Sequence, residues 1–302
     1  MEKDLAIVIP AYKARFFKEV LDSIAQQDNP NFAVYVGDDA SPDDLMSIVA
    51  LFQEKMDIHY VRFQENMGSH NLVAHWERCI RLSHEPLIWL FSDDDLMPSD
   101  AVDRVLKAAE QYGHDYFFSR FPLSVIDEHG KITFSNPLFA SDKVSGYEFL
   151  LDKLSGKISS AACEYVFSRQ VWQQSGGFVQ FPLAWCSDDA TWASFADEAS
   201  GIISLPGKPV CWRNAEGTNI SNSCKYDRQK LEATGLFLQW IASHYSDKMK
   251  DSSLHRALEK YLRIILKISV RRNYQWNDLI HLCIILARFS PWAAIRLFCS
   301  CK

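Results

Sequence analysis

The run Leu5-Ala-Ile-Val-Ile-Pro-Ala-Tyr12 constrains this chain more than any other stretch. It is unbroken apolar sequence with β-branched residues, stopped by Pro10, and far too short for a buried helix, so it reads as a strand covered on both faces. Such a strand needs one layer above it and one below. A parallel sheet flanked by helices supplies both. The following segments fit that plan. Arg15 to Gln27 repeats apolar residues at helical spacing (Phe17, Val20, Leu21, Ile24) and stops at Asp28-Asn-Pro-Asn31. Phe32 to Val36 is a second strand, so the chain opens as a βαβ unit. A helix over 45–55, a strand at Ile58 to Phe63, a helix over 72–82 and a strand at Pro86 to Ser92 extend the pattern.

Ligands of open parallel sheets bind outside the carboxyl ends of the strands. Pro10 to Tyr12, Asp38-Asp39, the loop around Asn66 and the triplet Asp93-Asp94-Asp95 are therefore expected to converge on one crevice. Three adjacent carboxylates repel one another unless a cation holds them. Magnesium or manganese suits hard oxygen ligands and takes further ligands from a substrate's phosphates. The alternative is a solvated acidic turn ahead of a helix capped by Ser99 or Asp100.

Composition narrows the partners. With 302 residues, nearly half of them apolar, the chain can bury a large core. Its net charge of -6 argues against nucleic acid. Eight cysteines without a CxxC pair, and no signal peptide, read as reduced thiols in a cytoplasmic protein, and zinc is not expected. His70, His75 and His84 show no ligand spacing, and His75 is expected on a helix surface. Tyr116 to Lys157 reads as β-rich with turns. From about Cys224 the sequence is helix-patterned, and beyond His255 nine Lys and Arg face only Glu259 and Asp278. These helices are expected to pack on the rest of the chain, with an anionic membrane surface or a second copy in a homodimer as alternatives. The run Leu279 to Phe298 is interrupted by His281, Arg288, Pro291 and Arg296, so it is not expected to span a membrane.

The segments "IVIPAY", "VGDDASPDD", "ENMGSHN" and "FSDDDLMP", in that order, resemble the nucleotide-sugar half of a family 2 glycosyltransferase. "GGF" at Gly176 to Phe178, "CSDDATW" at Cys186 to Trp192 and "VCWRNAEGTNIS" extend the resemblance over about two hundred residues. It implies an α/β GT-A fold, a Rossmann-like, mostly parallel sheet flanked by helices, with a C-terminal helical appendage. The implied division is 1–223 for the catalytic domain (1–100 for the nucleotide-sugar half, 101–223 for the acceptor half) and 224–302 for the helical region. The resemblance implies a nucleotide-sugar site at Pro10, Ala11, Tyr12, Asp39, Asn66, Gly68, Asn71, Asp93 and Asp94. Arg213, ahead of a loop running through Ser221, would reach the diphosphate. Asp95 and Asp93 would hold Mn2+ or Mg2+. Many members carry Asp where this chain has Ser92, so the division of roles among the three aspartates stays open.

The resemblance further implies inverting transfer from a nucleoside diphosphate sugar, UDP foremost, to a hydroxyl of a glycan or lipid-linked saccharide of a bacterial surface. Such attack needs a base on the face opposite the leaving diphosphate. Asp189 would be that base, with Asp188 orienting it. Two rivals remain at this level. A nucleotidyltransferase would want a glycine-rich basic loop after the first strand, where "IPAYKARFF" has no glycine. A silent sugar-nucleotide-binding module would keep the fold without the chemistry.

Overall fold

The structure, a computed structural model, describes residues 2–136, 138–215, 224–270 and 275–300. The chain opens β1 (Leu5–Ala11), α1 (Phe17–Ala25), β2 (Phe32–Asp38), α2 (Leu45–Ala50), β3 (Ile58–Arg62), α3 (Leu72–Ile80), β4 (Leu87–Leu90) and α4 (Ala101–Tyr112). Then come β5 (Phe118–Arg120), β6 (Leu123–Ile126), β7 (Ile132–Asn136), β8 (Lys143–Val144), α5 (Gly146–Leu154), β9 (Tyr165–Ser168) and α6 (Arg169–Gln174). The rest is α7 (Ser187–Glu198), β10 (Ile202–Ser204), β11 (Val210–Arg213), α8 (Asp227–His244), α9 (Ser252–Val270), α10 (Trp276–Ala287) and α11 (Pro291–Ser300). The stretch read as β-rich thus ends in a helix. Ser145 and Glu148 close a capping box at its start, which outweighs the strand propensity around it.

Eight strands form one sheet in the order β3-β2-β1-β4-β9-β5-β10-β8. The β3-β2-β1-β4 half is parallel, and β9 runs antiparallel between β4 and β5. A second sheet, β11-β6-β7, sits beside it, tied to the chain after β4 by a bridge between Leu96 and Cys211. β1 explains why both of its faces are apolar. Leu5, Ile7 and Ile9 enter a core with Phe17, Val20 and Leu21 of α1, while Ala6 and Val8 enter the opposite core. Each fully buried Leu or Ile contributes roughly 1.5–3 kcal/mol.

The second core does not stop at the sheet. It runs from Val8 through Phe118 and Trp192 to Leu231, Phe237, Leu258, Leu282 and Leu297. The C-terminal helices therefore bury their apolar faces against α7 and each other, with α8 on α7, α9 on α5, α10 on α8 and α11 on α9. Among the described residues no helix is long and apolar enough to cross a membrane.

Candidate functional site

A cleft of about 800 Å3 opens where the parallel strands end. Pro10 and Tyr12 follow β1 on its wall, and Tyr12 is 39% exposed, free of the core it could have joined. Ala11 is fully buried and contributes its carbonyl, which accepts the Asp39 N–H at 2.9 Å. The two aspartates ending β2 face different ways. Asp38 turns inward, accepting the Ser41 N–H at 2.7 Å, the Arg62 guanidinium at 2.8 Å and the Tyr60 hydroxyl. Asp39 lines the cleft and fastens the next loop: its two oxygens accept the N–H groups of Met67 and Gly68, both at 2.8 Å, and it pairs with Arg78. A Cβ on Gly68 would lie 2.6 Å from Asp39 Oδ2, so this close approach demands glycine.

Asn66 and Gly68 line the cleft; Asn71 does not. Its side chain accepts the Ala74 N–H at 3.0 Å as the cap of α3 and donates to Gln180 at 3.2 Å. His75, expected on the helix surface, is buried on the cleft side instead, because α3 turns it toward β1 and β2. Burial holds its pKa down to about 4, so the ring is neutral, and its Nδ1 accepts the Arg78 Nε–H at 3.0 Å. Arg78 is thereby aimed at Asp39.

The acidic triplet follows β4, and all three side chains are buried yet line the cleft. They do not cap α4, whose N-cap Asp100 makes no side-chain cap bond. Asp93 Oδ2 instead accepts the backbone N–H groups of Tyr12 and Lys13 at 2.7 and 2.8 Å, locking the triplet to the exit of β1. Asp94 Oδ1 accepts the Ser92 hydroxyl at 2.5 Å, and Asp95 Oδ1 accepts the Arg213 N–H at 2.8 Å. Burial, and then the neighbouring Asp94 charge, push the Asp93 carboxyl up to about 6 and Asp95 well above the usual carboxylate range. Buried carboxylates kept this close want a counter-charge. The donor set, hard oxygens only, fits Mg2+ or Mn2+. Among the described residues no group of three or more His, Cys, Asp and Glu is arranged to hold a metal by itself. An ion here would have to complete its shell from a bound phosphate or water.

Arg213 does not line the cleft. Its guanidinium is buried behind the triplet, with Nε 2.9 Å from the Asp94 carbonyl, Nη2 2.8 Å from Glu19, and the Phe16 ring 4.2 Å away. β11 carries it in from the second sheet, where register and burial turn it inward. The loop expected to follow it, from 216 through 221, lies outside the described residues.

A second acidic centre stands at the start of α7. Asp188 and Asp189 both line the cleft, Asp189 buried and Asp188 half-buried. Lys153 Nζ of α5 sits 2.7 Å from Asp189 Oδ1, an ion pair outside hydrogen-bond angles. Burial and the Asp189 charge push the Asp188 carboxyl up to about 7. The chain reaches this point through Leu183, Ala184 and Cys186 at φ 60°, 55° and 64°. Left-handed non-glycine residues cost roughly 1–3 kcal/mol each, and such strain concentrates at functional sites. Here Trp185 Nε1 donates to Thr234 at 3.2 Å and Cys186 Sγ lies 3.1 Å from the Tyr261 hydroxyl, so the C-terminal helices hold the strained turn. Gly177, at φ +85°, has Glu77 Oε1 2.5 Å from where a Cβ would stand, and Glu77 accepts the N–H of Phe178 at 2.7 Å.

Sequence reasoning missed Lys153, His75 and Trp212 on this wall, and Tyr261 and Ile265, which α9 brings to it. Lys153 and Asp189 are 36 positions apart with no local pattern joining them. A strand-end cleft with one acidic centre after β4 and another at α7 places the chain in the GT-A class of α/β proteins. The family model of glycosyl transferase family 2 matches residues 6–163, more than half the chain, and the chain belongs to that family of glycosyltransferases.

Solved structures agree on the fold. S. aureus TarS 1-349 in complex with UDP-GlcNAc matches with a TM-score of 0.69 at 16% identity, over 97% of this chain and 82% of that one. S. aureus TarS as a longer chain matches with a TM-score of 0.68 at 15% identity, over 97% of this chain and 50% of that one. The mannosyltransferase PcManGT from Pyrobaculum calidifontis, in complex with GDP-Man and Mn2+, matches with a TM-score of 0.51 at 16% identity, over 99% and 86%. No curated protein sequence matches the chain.

Proposed function

We propose that this protein transfers one sugar, with inversion, from a UDP-sugar to a hydroxyl of a glycan or lipid-linked saccharide, in the cytoplasm and with a divalent metal. The observation that carries the reading is that two acidic centres stand on the walls of one cleft, the triplet beside the exit of β1 and the pair on α7. Tyr12, exposed at that exit, offers a ring for the base to stack on. Asp39, through Met67 and Gly68, sets the loop that would follow the ribose and diphosphate, with Asn66 at its edge. Asp93 and Asp95 are the residues that would hold Mn2+ or Mg2+. When bound, the ion stabilises negative charge growing on the departing diphosphate.

Between the two carboxylates on α7, electrostatics favours Asp188 as the proton acceptor. Asp189 is buried with Lys153 Nζ 2.7 Å away, whereas Asp188 stands half-buried on the cleft wall, and burial and then the Asp189 charge raise it to about 7, where a general base works best. Asp189, expected from the family pattern as the base, is read here as the group that tunes Asp188. Arg213 is read as a brace of the triplet, because its guanidinium is already engaged there.

Calorimetric titration of UDP, GDP and dTDP with and without Mn2+, on the intact chain and on Asp95→Ala, tests the donor site. Manganese-dependent binding of UDP that the variant loses supports the reading; binding of none of the three removes its chemical basis. NMR of the product anomer then decides between inversion and retention.

A further inference from the structure

Helices α10 and α11 form a hairpin laid across α8 and α9. The inner face buries Leu279, Leu282, Ile285, Leu286, Ala293 and Leu297. The outer face is apolar as well. Trp276, Ile280 and Ile284 recur at i, i+4 and i+8 on α10 and are 53%, 43% and 58% exposed; Trp292 and Ile295 on α11 are 73% and 54% exposed. Single exposed apolar residues are ordinary, but five aligned on two packed helices, two of them tryptophan, mark an interaction surface.

Charge says what kind of partner fits. From His255 to Lys302 the sequence carries nine Lys and Arg against two acids, while the residues before it carry twenty-three against thirty-six. Glu259 is taken by Arg263 and Arg296, and the Asp278 carboxylate accepts the Gln275 N–H at 3.2 Å as a cap of α10. Arg288 closes the exposed stripe of α10, one turn beyond Ile284, and is itself exposed. An apolar face with tryptophan at its ends and an exposed arginine beside it, on a segment whose sequence is net basic, matches the water–lipid boundary of an anionic leaflet, where indoles settle at headgroup depth and cations meet the lipid charge. The same face of a second copy would present the same excess of positive charge.

We propose that the outer face of the α10–α11 hairpin docks this protein onto an anionic lipid surface, lying in the headgroup layer without crossing it. The inference does not depend on the transferase chemistry. It is tested by co-sedimenting the full chain with vesicles of phosphatidylglycerol and, separately, of phosphatidylcholine. Binding to phosphatidylglycerol is expected, weaker by about tenfold or more on phosphatidylcholine and falling with salt. The double variant Ile284→Glu, Trp292→Glu is expected to lose binding by about tenfold or more while keeping the thermal melt of the parent. Arg288→Glu, on an exposed side chain clear of the core, is expected to weaken it several-fold. No binding to phosphatidylglycerol, undiminished binding by both variants, or a self-associated chain that the double variant disperses would each overturn the proposal.

Discussion

At the scale of single residues, the cleft is organised by pairs of carboxylates whose surroundings set them apart. Asp188 has a folded pKa of about 7 against a reference of 3.8, so folding favours its protonated form. Its contribution to stability is complete below the reference value and is lost as pH rises through about 7, whereas catalysis needs the ionised form. The rate of sugar transfer is therefore expected to rise with pH through about 7, and Asp188→Asn should cost about a hundredfold or more in kcat while leaving UDP affinity in place. Lys153 supplies the opposing charge. Lys153→Met removes the cation that eases ionisation of the pair, so the acidic limb of the pH–rate profile should move to higher pH, with Lys153→Arg restoring it. A limb that stays where it was in Lys153→Met would show that Lys153 does not tune the base. Gly68→Ala should weaken UDP binding, measured by calorimetry, because the added methyl displaces the Asp39 carboxylate that holds the loop.

Elements position these residues through contacts that no single segment encodes. The second sheet braces the triplet: β11 delivers the Arg213 N–H to Asp95 and its guanidinium to the Asp94 carbonyl. Arg213→Met keeps the N–H to Asp95 but strands the Asp94 carbonyl and Glu19, and chemical denaturation should register a loss of about 1–3 kcal/mol. Deeper in the sheet, Arg120 of β5 and Glu164 beside β9 form an ion pair with both side chains fully buried, 2.9 Å apart. Arg120→Met leaves a buried carboxylate without its cation and is expected to cost about 3–5 kcal/mol, read from the urea midpoint. Strand identity was legible where a segment is buried on both faces, as in β1, β2 and β4. α5 was not legible from periodicity amid strand-like sequence, although its Ser145 and Glu148 capping signal stands in the sequence. His75 shows the same limit from the other side, since its helix was evident and the face it presents was decided by packing.

For the molecule as a whole, the C-terminal helices share a hydrophobic core with the sheet. Phe237, Leu258 and Leu282 share a cluster with Val8 and Trp192, and Tyr261 and Ile265 reach the cleft itself. A chain ending at residue 223 would expose that cluster, and it is expected to lose cooperative unfolding in calorimetry and to aggregate. The sequence by itself determined the βαβ start, the carboxyl-end crevice and the acidic residues in it, because burial on both strand faces and adjacent like charges leave local signatures. It also carried the segment order that the family model matches over residues 6–163. The tertiary structure alone decided that Lys153 meets Asp189, that Arg213 turns behind the triplet, that Asp39 and Asn71 spend their side chains on the loop and the α3 cap, and that α9 forms a wall of the cleft. Those facts rest on residues brought together from distant segments, and the energy that joins them comes from burying side chains the local pattern does not pair.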